Sequence, residues 1–216
     1  MRRVITTTLA ALALLLSSAA VAQAHFPILF VHGWKGSESN WTTMIERFEK
    51  DGWTKAELNN WTYNTAQSNV TTAKEEVTKV NEILTKTGAT KVNLITHSMG
   101  GLSTRYYIKN LGGESKVEDW VSLGGPNHGT EVANLCFEVS CTEMRIGSTF
   151  LKELNAGDET PGAVHYGTWW SSCDEFIKPA ESTILTGATN TKTECISHLA
   201  LLTNEKVYVG VREFVK

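Results

Sequence analysis

Ser98 lies in the run Val92-Asn93-Leu94-Ile95-Thr96-His97-Ser98-Met99-Gly100-Gly101-Leu102, where an apolar stretch of strand character meets a serine and then a helical pattern. A serine on so sharp a turn is exposed and can act as a nucleophile, provided the residues two before and two after it are small enough for the chain to reverse. Gly100 meets that need after the serine. Thr96 stands before it, where glycine would be the easier fit. A serine hydroxyl is a weak nucleophile until a base takes its proton and a third group orients that base. The histidines that follow are His128, His165 and His198; the carboxylates in view are Asp174, Glu175 and Asp158. The same run could also be a plain junction in which the serine caps the helix.

A second segment bears on that choice. Val31-His32-Gly33-Trp34-Lys35-Gly36 follows the apolar run Phe26-Pro27-Ile28-Leu29-Phe30-Val31. Two glycines after a strand can form an ordinary tight turn. Together with a nucleophilic serine further on, they can instead aim a backbone N–H at a developing oxyanion, with a second N–H from the residue after the serine. Trp34 and Met99 are the donors this predicts. Trp34, Met99, Leu102 and Pro126 are also placed to line the substrate pocket.

The elements that must carry these groups read as alternating strands and helices. Strands are expected at Phe26–Val31, 92–95, 120–123, near 163–168 and near 183–185. In Val70, Ala73, Val77, Val80 and Leu84 the apolar residues recur every three or four positions, which predicts a helix stopped by Gly88. Another helix closes the chain at about 205–214. Residues 127–160 lack periodicity and read as loops with one short helix near 147–154. Strands separated by amphipathic helices predict the α/β class, a mostly parallel central sheet flanked by helices on both faces.

Arg2 and Arg3, the apolar run from Leu9 and the small residues ending at Ala24 have the three-part pattern of a signal peptide, too short to span a bilayer. Cleavage after Ala24 leaves residues 25–216, a length suited to one domain, with 18 basic against 23 acidic side chains. The acidic balance argues against nucleic acid as a partner. Four cysteines in an exported chain point to disulfides, and the preferred pairing is Cys136 with Cys141 and Cys173 with Cys195. No spacing of cysteines or histidines suggests a metal site, and no cofactor is expected.

These residues together resemble the small secreted bacterial lipases of the class 2, or lipase A, type, which have a minimal α/β-hydrolase fold. The resemblance runs through Val31-His32-Gly33, the Ser98 segment, Tyr107-Ile108-Lys109-Asn110, Leu123-Gly124-Gly125-Pro126-Asn127, Ser171-Ser172-Cys173-Asp174 and Ser197-His198-Leu199. It implies a triad in the chain order Ser98, Asp174, His198, with oxyanion N–H groups at Trp34 and Met99 and an acyl-enzyme route to carboxylic-ester hydrolysis. Glu175 and Asp158 are the rivals to Asp174. A Cys173–Cys195 bridge would tie the acid's loop to the base's loop. The expected protein is a secreted monomeric lipase or esterase, without a transmembrane anchor, that takes esters or acylglycerols of short or medium chain, with a lipid–water interface as a candidate place of action. The same triad would serve a thioesterase, acyltransferase or polyester depolymerase, and a non-catalytic lipid-binding member of the fold is the alternative from another class. The insertion Leu135–Cys141 departs from the minimal pattern and raises the question of a lid.

Overall fold

The computed structural model describes residues 25–216; the expected signal peptide lies outside the described residues. Six strands form one parallel sheet: β1 (Ile28–Val31), β2 (Leu58–Asn60), β3 (Val92–His97), β4 (Val117–Leu123), β5 (His165–Trp170) and β6 (Thr189–Lys192). Their spatial order is β2-β1-β3-β4-β5-β6, with Val31 registered on Thr96 and Ser122 on both Thr96 and Thr168. The helices are α1 (Thr42–Lys50), α2 (Asn69–Thr87), α3 (Gly100–Asn110), α4 (Val139–Met144), α5 (Thr149–Leu154) and α6 (Glu205–Phe214).

Alternation along the strands divides the core in two. Leu29 and Val31 face one layer with Leu94, Trp120 and Tyr166, covered by α2, α3 and α5. Ile28 and Phe30 face the other with Ile95, Val121 and Trp169, covered by α1 and α6. Each face of β1 is buried, which is why its sequence is apolar throughout. The helix expected from Val70 to Leu84 runs from 69 to 87; Ser68 caps its start by accepting from the Val70 amide, and Gly88 ends it at φ 72°.

Two expectations change. No strand forms near 183–185: Thr183 ends a short 3₁₀ turn, and Leu185, fully buried, is held in a loop by the Asn190 side chain. The last strand is β6, whose Thr-Asn-Thr-Lys sequence is mostly exposed at the sheet edge. A polar edge strand has no apolar alternation to read, and that polarity also discourages pairing with another chain. The three-residue strand β2 at the opposite edge escapes notice for the same reason. Within 127–160 there are two helices, α4 and α5, where one was expected.

The sheet order reverses between β1 and β3, because the chain leaves β1 toward β2 and returns to begin β3 on the other side. In open parallel sheets the crevice at the carboxyl ends of such strands is where ligands bind. His32-Gly33 leaves β1 there, and Ser98 leaves β3.

Candidate active site

Ser98 adopts φ 54°, in the left-handed region that a β-carbon disfavours. Its amide donates to the Leu123 carbonyl at 2.9 Å, so the turn is anchored on β4. A β-carbon at position 100 would meet the carbonyl oxygens of Val31 and His32 at 2.6 and 2.7 Å, so α3 can approach β1 only through glycine. Thr96 is accommodated differently. Its hydroxyl donates to Val121 O at 2.7 Å, and it faces Gly101, where a β-carbon would stand 3.4 Å from its Oγ1. The larger residue before the serine is thus matched by an extra glycine after it.

The loop after β1 is built around one peptide. Gly33 O accepts from His32 Nδ1–H at 2.9 Å and from the Gly36 amide at 3.0 Å. Because a trans peptide points its C=O and N–H in opposite directions, this holds the Trp34 amide facing away from both donors. His32 is itself fixed by stacking on Tyr63 at 4.3 Å, whose hydroxyl donates to His32 O at 2.6 Å. Burial pushes the His32 imidazole below its ordinary pKa, which keeps it neutral. Among the described residues, no protein acceptor takes the amide of Trp34 or of Met99. Gly33 lies against the serine: a β-carbon there would be 2.6 Å from Ser98 Cβ and 3.2 Å from Oγ.

Asp174 lies in the turn after β5 and is buried with both oxygens engaged. Oδ1 accepts from the amides of Phe176 and Ile177, each at 2.9 Å, and Oδ2 accepts from His198 Nδ1 at 2.7 Å. A carboxylate only accepts, so Nδ1 carries the proton and Nε2 is left with a free lone pair. Gly124 packs onto this pair, since a β-carbon there would stand 3.0 Å from both Asp174 Oδ2 and His198 Nδ1. The Asp174 and His198 loops are joined by the Cys173–Cys195 disulfide, and Cys136 is bonded to Cys141. Of the rival carboxylates, Asp158 is exposed and accepts from the Thr160 amide, while Glu175 accepts from the His198 main-chain N–H at 2.9 Å. His128 pairs with Glu159 and His165 with Asp119, and neither histidine lines the cavities at Ser98.

Ser98 stands where two cavities meet. One, of about 230 Å³, is almost wholly apolar, with walls that include Val132, Ala133, Leu135, Met144 and Ile177. The other, of about 350 Å³, is more polar and is lined by Lys35, Asn40, His97, His198 and Leu199. Trp34 and Phe176 border both. Ser98 and His198 therefore face one space, although their side chains are not hydrogen-bonded to each other in this structure. Trp34 lines both cavities, whereas Met99, Leu102 and Pro126 line neither. Met99 and Leu102 are buried in the core, because the first turn of α3 directs them down onto the sheet, and Pro126 is buried in the turn after β4.

The apolar wall comes instead from the aperiodic segment that sequence patterns leave unread. It is fixed to the opposite side of the site by polar contacts: Trp34 Nε1 donates to Glu138 at 3.0 Å, Ser140 donates to Thr65 O at 2.6 Å, and Glu143 accepts from the amide and side chain of Asn69 at the start of α2. His97, next to Ser98 in the chain, touches His198 from the side of the Ser98 turn, a contact that sequence patterns do not predict.

A family model described as Lipase (class 2) matches residues 25–207. Among solved structures, Bacillus licheniformis lipase BlEst2 in mature form is similar at a TM-score of 0.78 and 21% identity, over 90% of this chain and 94% of that one. Aspergillus fumigatus lipase B is similar at 0.70 and 17%, over 85% of this chain and 51% of that one. Phospholipase PlaB from Legionella pneumophila is similar at 0.71 and 14%, over 89% and 60%.

Proposed function

This chain belongs to the class 2 lipases and has their α/β-hydrolase fold, and we propose that it is an exported carboxylic-ester hydrolase that works through Ser98, His198 and Asp174. One observation carries the reading: a strained serine at the end of β3 shares a cavity with an imidazole whose far nitrogen is held by a buried carboxylate. In the proposed cycle His198 Nε2 takes the Ser98 proton while Oγ attacks the ester carbonyl. The amides of Trp34 and Met99, which no protein acceptor occupies, receive the negative charge on the carbonyl oxygen. The imidazolium returns its proton to the departing alcohol, and water repeats the sequence on the acyl-enzyme.

The two cavities suggest a division of the substrate. The apolar space fits an acyl chain of short or medium length, and the polar space with Lys35 and Asn40 fits the alcohol. Large apolar side chains rim the opening. Leu135 is 81% exposed and Phe137 88%, with Val139, Phe176 and Leu199 also exposed. Glu138, in the midst of them, turns its carboxylate inward to Trp34. An apolar rim continuous with an acyl cavity supports action on substrate gathered at a lipid–water interface. Two disulfides support export, and no helix among the described residues is long and apolar enough to cross a membrane.

Ser98→Ala tests the assignment. Hydrolysis of p-nitrophenyl butyrate should fall by at least ~10³-fold while the thermal melt is unchanged. Ordinary turnover by the folded variant would end it.

A further inference from the structure

We propose that His97 and Glu175 are positioning residues that grip the main chain of His198 from its two sides and so set the reach of its imidazole to Ser98. The inference rests on the reading of Ser98 and His198 as nucleophile and base. Asp174 controls the rotation of the imidazole, but it does not locate the backbone from which the ring hangs. Two other side chains do. His97 Nε2–H donates to His198 O at 3.1 Å, and Glu175 Oε2 accepts from His198 N–H at 2.9 Å.

The His97 contact has a particular consequence because of where His97 sits. It immediately precedes Ser98, so its side chain is a short rigid arm from the nucleophile turn to the base loop. Among the described residues it is the one polar side-chain link between those two segments. The rings of His97 and His198 also pack with centroids 4.4 Å apart. A carbonyl oxygen can only accept, so the contact requires the tautomer with its proton on Nε2. Burial, with His198 beside it, holds the His97 imidazole well below its ordinary pKa, so that one neutral form persists and no second positive charge competes with the imidazolium formed during turnover.

Glu175 completes a grip made by one turn of chain. Ser171 Oγ bonds the carbonyl and amide of Ile196, Cys173 is bonded to Cys195, Asp174 holds the His198 ring, and Glu175 holds the His198 amide. The loop is therefore fastened to the turn after β5 on one side and to the nucleophile turn on the other. A displacement of about 1 Å at a reacting group can cost on the order of 10²-fold in rate, so loss of either fastening should be read in turnover rather than in substrate binding.

The test uses the full mature chain and a soluble ester, with fluorophosphonate labelling of Ser98 as the second readout. His97→Leu and Glu175→Leu should each lower kcat and the labelling rate by about 10- to 100-fold, with KM changed less than about twofold, at a temperature where the melt shows the variant fully folded. His97→Gln keeps an N–H donor and Glu175→Gln keeps an accepting oxygen, and both should recover most of the rate. If His97→Leu does not fold, His97→Asn replaces it, its amide being too short to reach the carbonyl. Hydrogen exchange of the His198 amide should speed up in Glu175→Leu and not in Glu175→Gln. Labelling at the wild-type rate in the leucine variants, or equal losses in the leucine and glutamine variants, would overturn the proposal. A wild-type protein that the fluorophosphonate does not label would instead overturn the esterase reading, which keeps the two failures apart.

Discussion

Gly33 lies against Ser98, and its lack of a β-carbon is what allows the loop after β1 to lie beside that serine. Gly33→Ala would place a methyl group 2.6 Å from Ser98 Cβ. Either the loop or the serine must move, and the Trp34 amide would leave its place with it. Removing one oxyanion donor elsewhere costs about 10²- to 10³-fold, and a loss of kcat of that size is expected here. The check is steady-state kinetics on a soluble ester, with circular dichroism to establish that the fold is retained; near-normal kcat would argue against the oxyanion role of this loop. The strain at Ser98, of order 1–3 kcal/mol for a non-glycine residue at positive φ, is held by the contacts around it. These are the Leu123 carbonyl on its amide and the close approach of Gly100 to β1.

Helices α2 and α3 meet over a buried carboxyl group. Glu76 is fully buried on α2, and its Oε1 accepts from Ser103 Oγ on α3 at 2.7 Å, while Oε2 has no partner. Burial raises its pKa well above the ordinary 4.5, with the Ser103 hydroxyl opposing and Glu75 adding to the rise. The folded protein therefore holds a proton that the unfolded chain releases above about pH 4.5. Stability must fall as pH rises from that value toward the folded pKa, with a slope of up to about 1.4 kcal/mol per pH unit from this group. Glu76→Gln keeps the acceptor for Ser103 without the titration. The variant should melt close to wild type at pH 4 and above it by a margin that grows toward pH 8. A margin that stays constant with pH would mean that Glu76 is ionised in the fold. Because α3 begins two residues after Ser98, the same pair of helices ties the stability of this layer to the placing of Ser98.

Three of the exposed large apolar side chains, Leu135, Phe176 and Leu199, line the cavities at Ser98, and Phe137 and Val139 follow Leu135 in the chain. Phe137 and Val139 lie on or beside the loop closed by Cys136–Cys141, and neither lines a cavity. Removing them should therefore leave the chemistry intact and weaken adsorption. Phe137→Ser combined with Val139→Ser should reduce hydrolysis of emulsified tributyrin by about tenfold or more, since burial of each such side chain is worth about 1.5–3 kcal/mol. Turnover of dissolved p-nitrophenyl acetate should change by less than about twofold. Equal losses on both substrates would place the pair in the fold of the site rather than at an interface.

The local code in this chain is sufficient for the short apolar runs that make β1, β3 and β4, for the helix stopped at Gly88, and for the serine set between a strand and small residues. These are short-range properties: a strand buried on both faces must be apolar, and a sharp turn must be small at its corners. Position after β5 and chain order favoured Asp174 over Glu175, but that Asp174 reaches the His198 ring and Glu175 the His198 amide is decided only by the fold. So is the wall of the apolar cavity, drawn from a segment without periodicity that is held by contacts to residues about 70 to 100 positions away. Leu102 shows the reverse error, a residue close to Ser98 in sequence that the helix turns into the core. Distances between groups far apart in the chain depend on how layers pack, and packing is a sum over many contacts that no single stretch of residues contains.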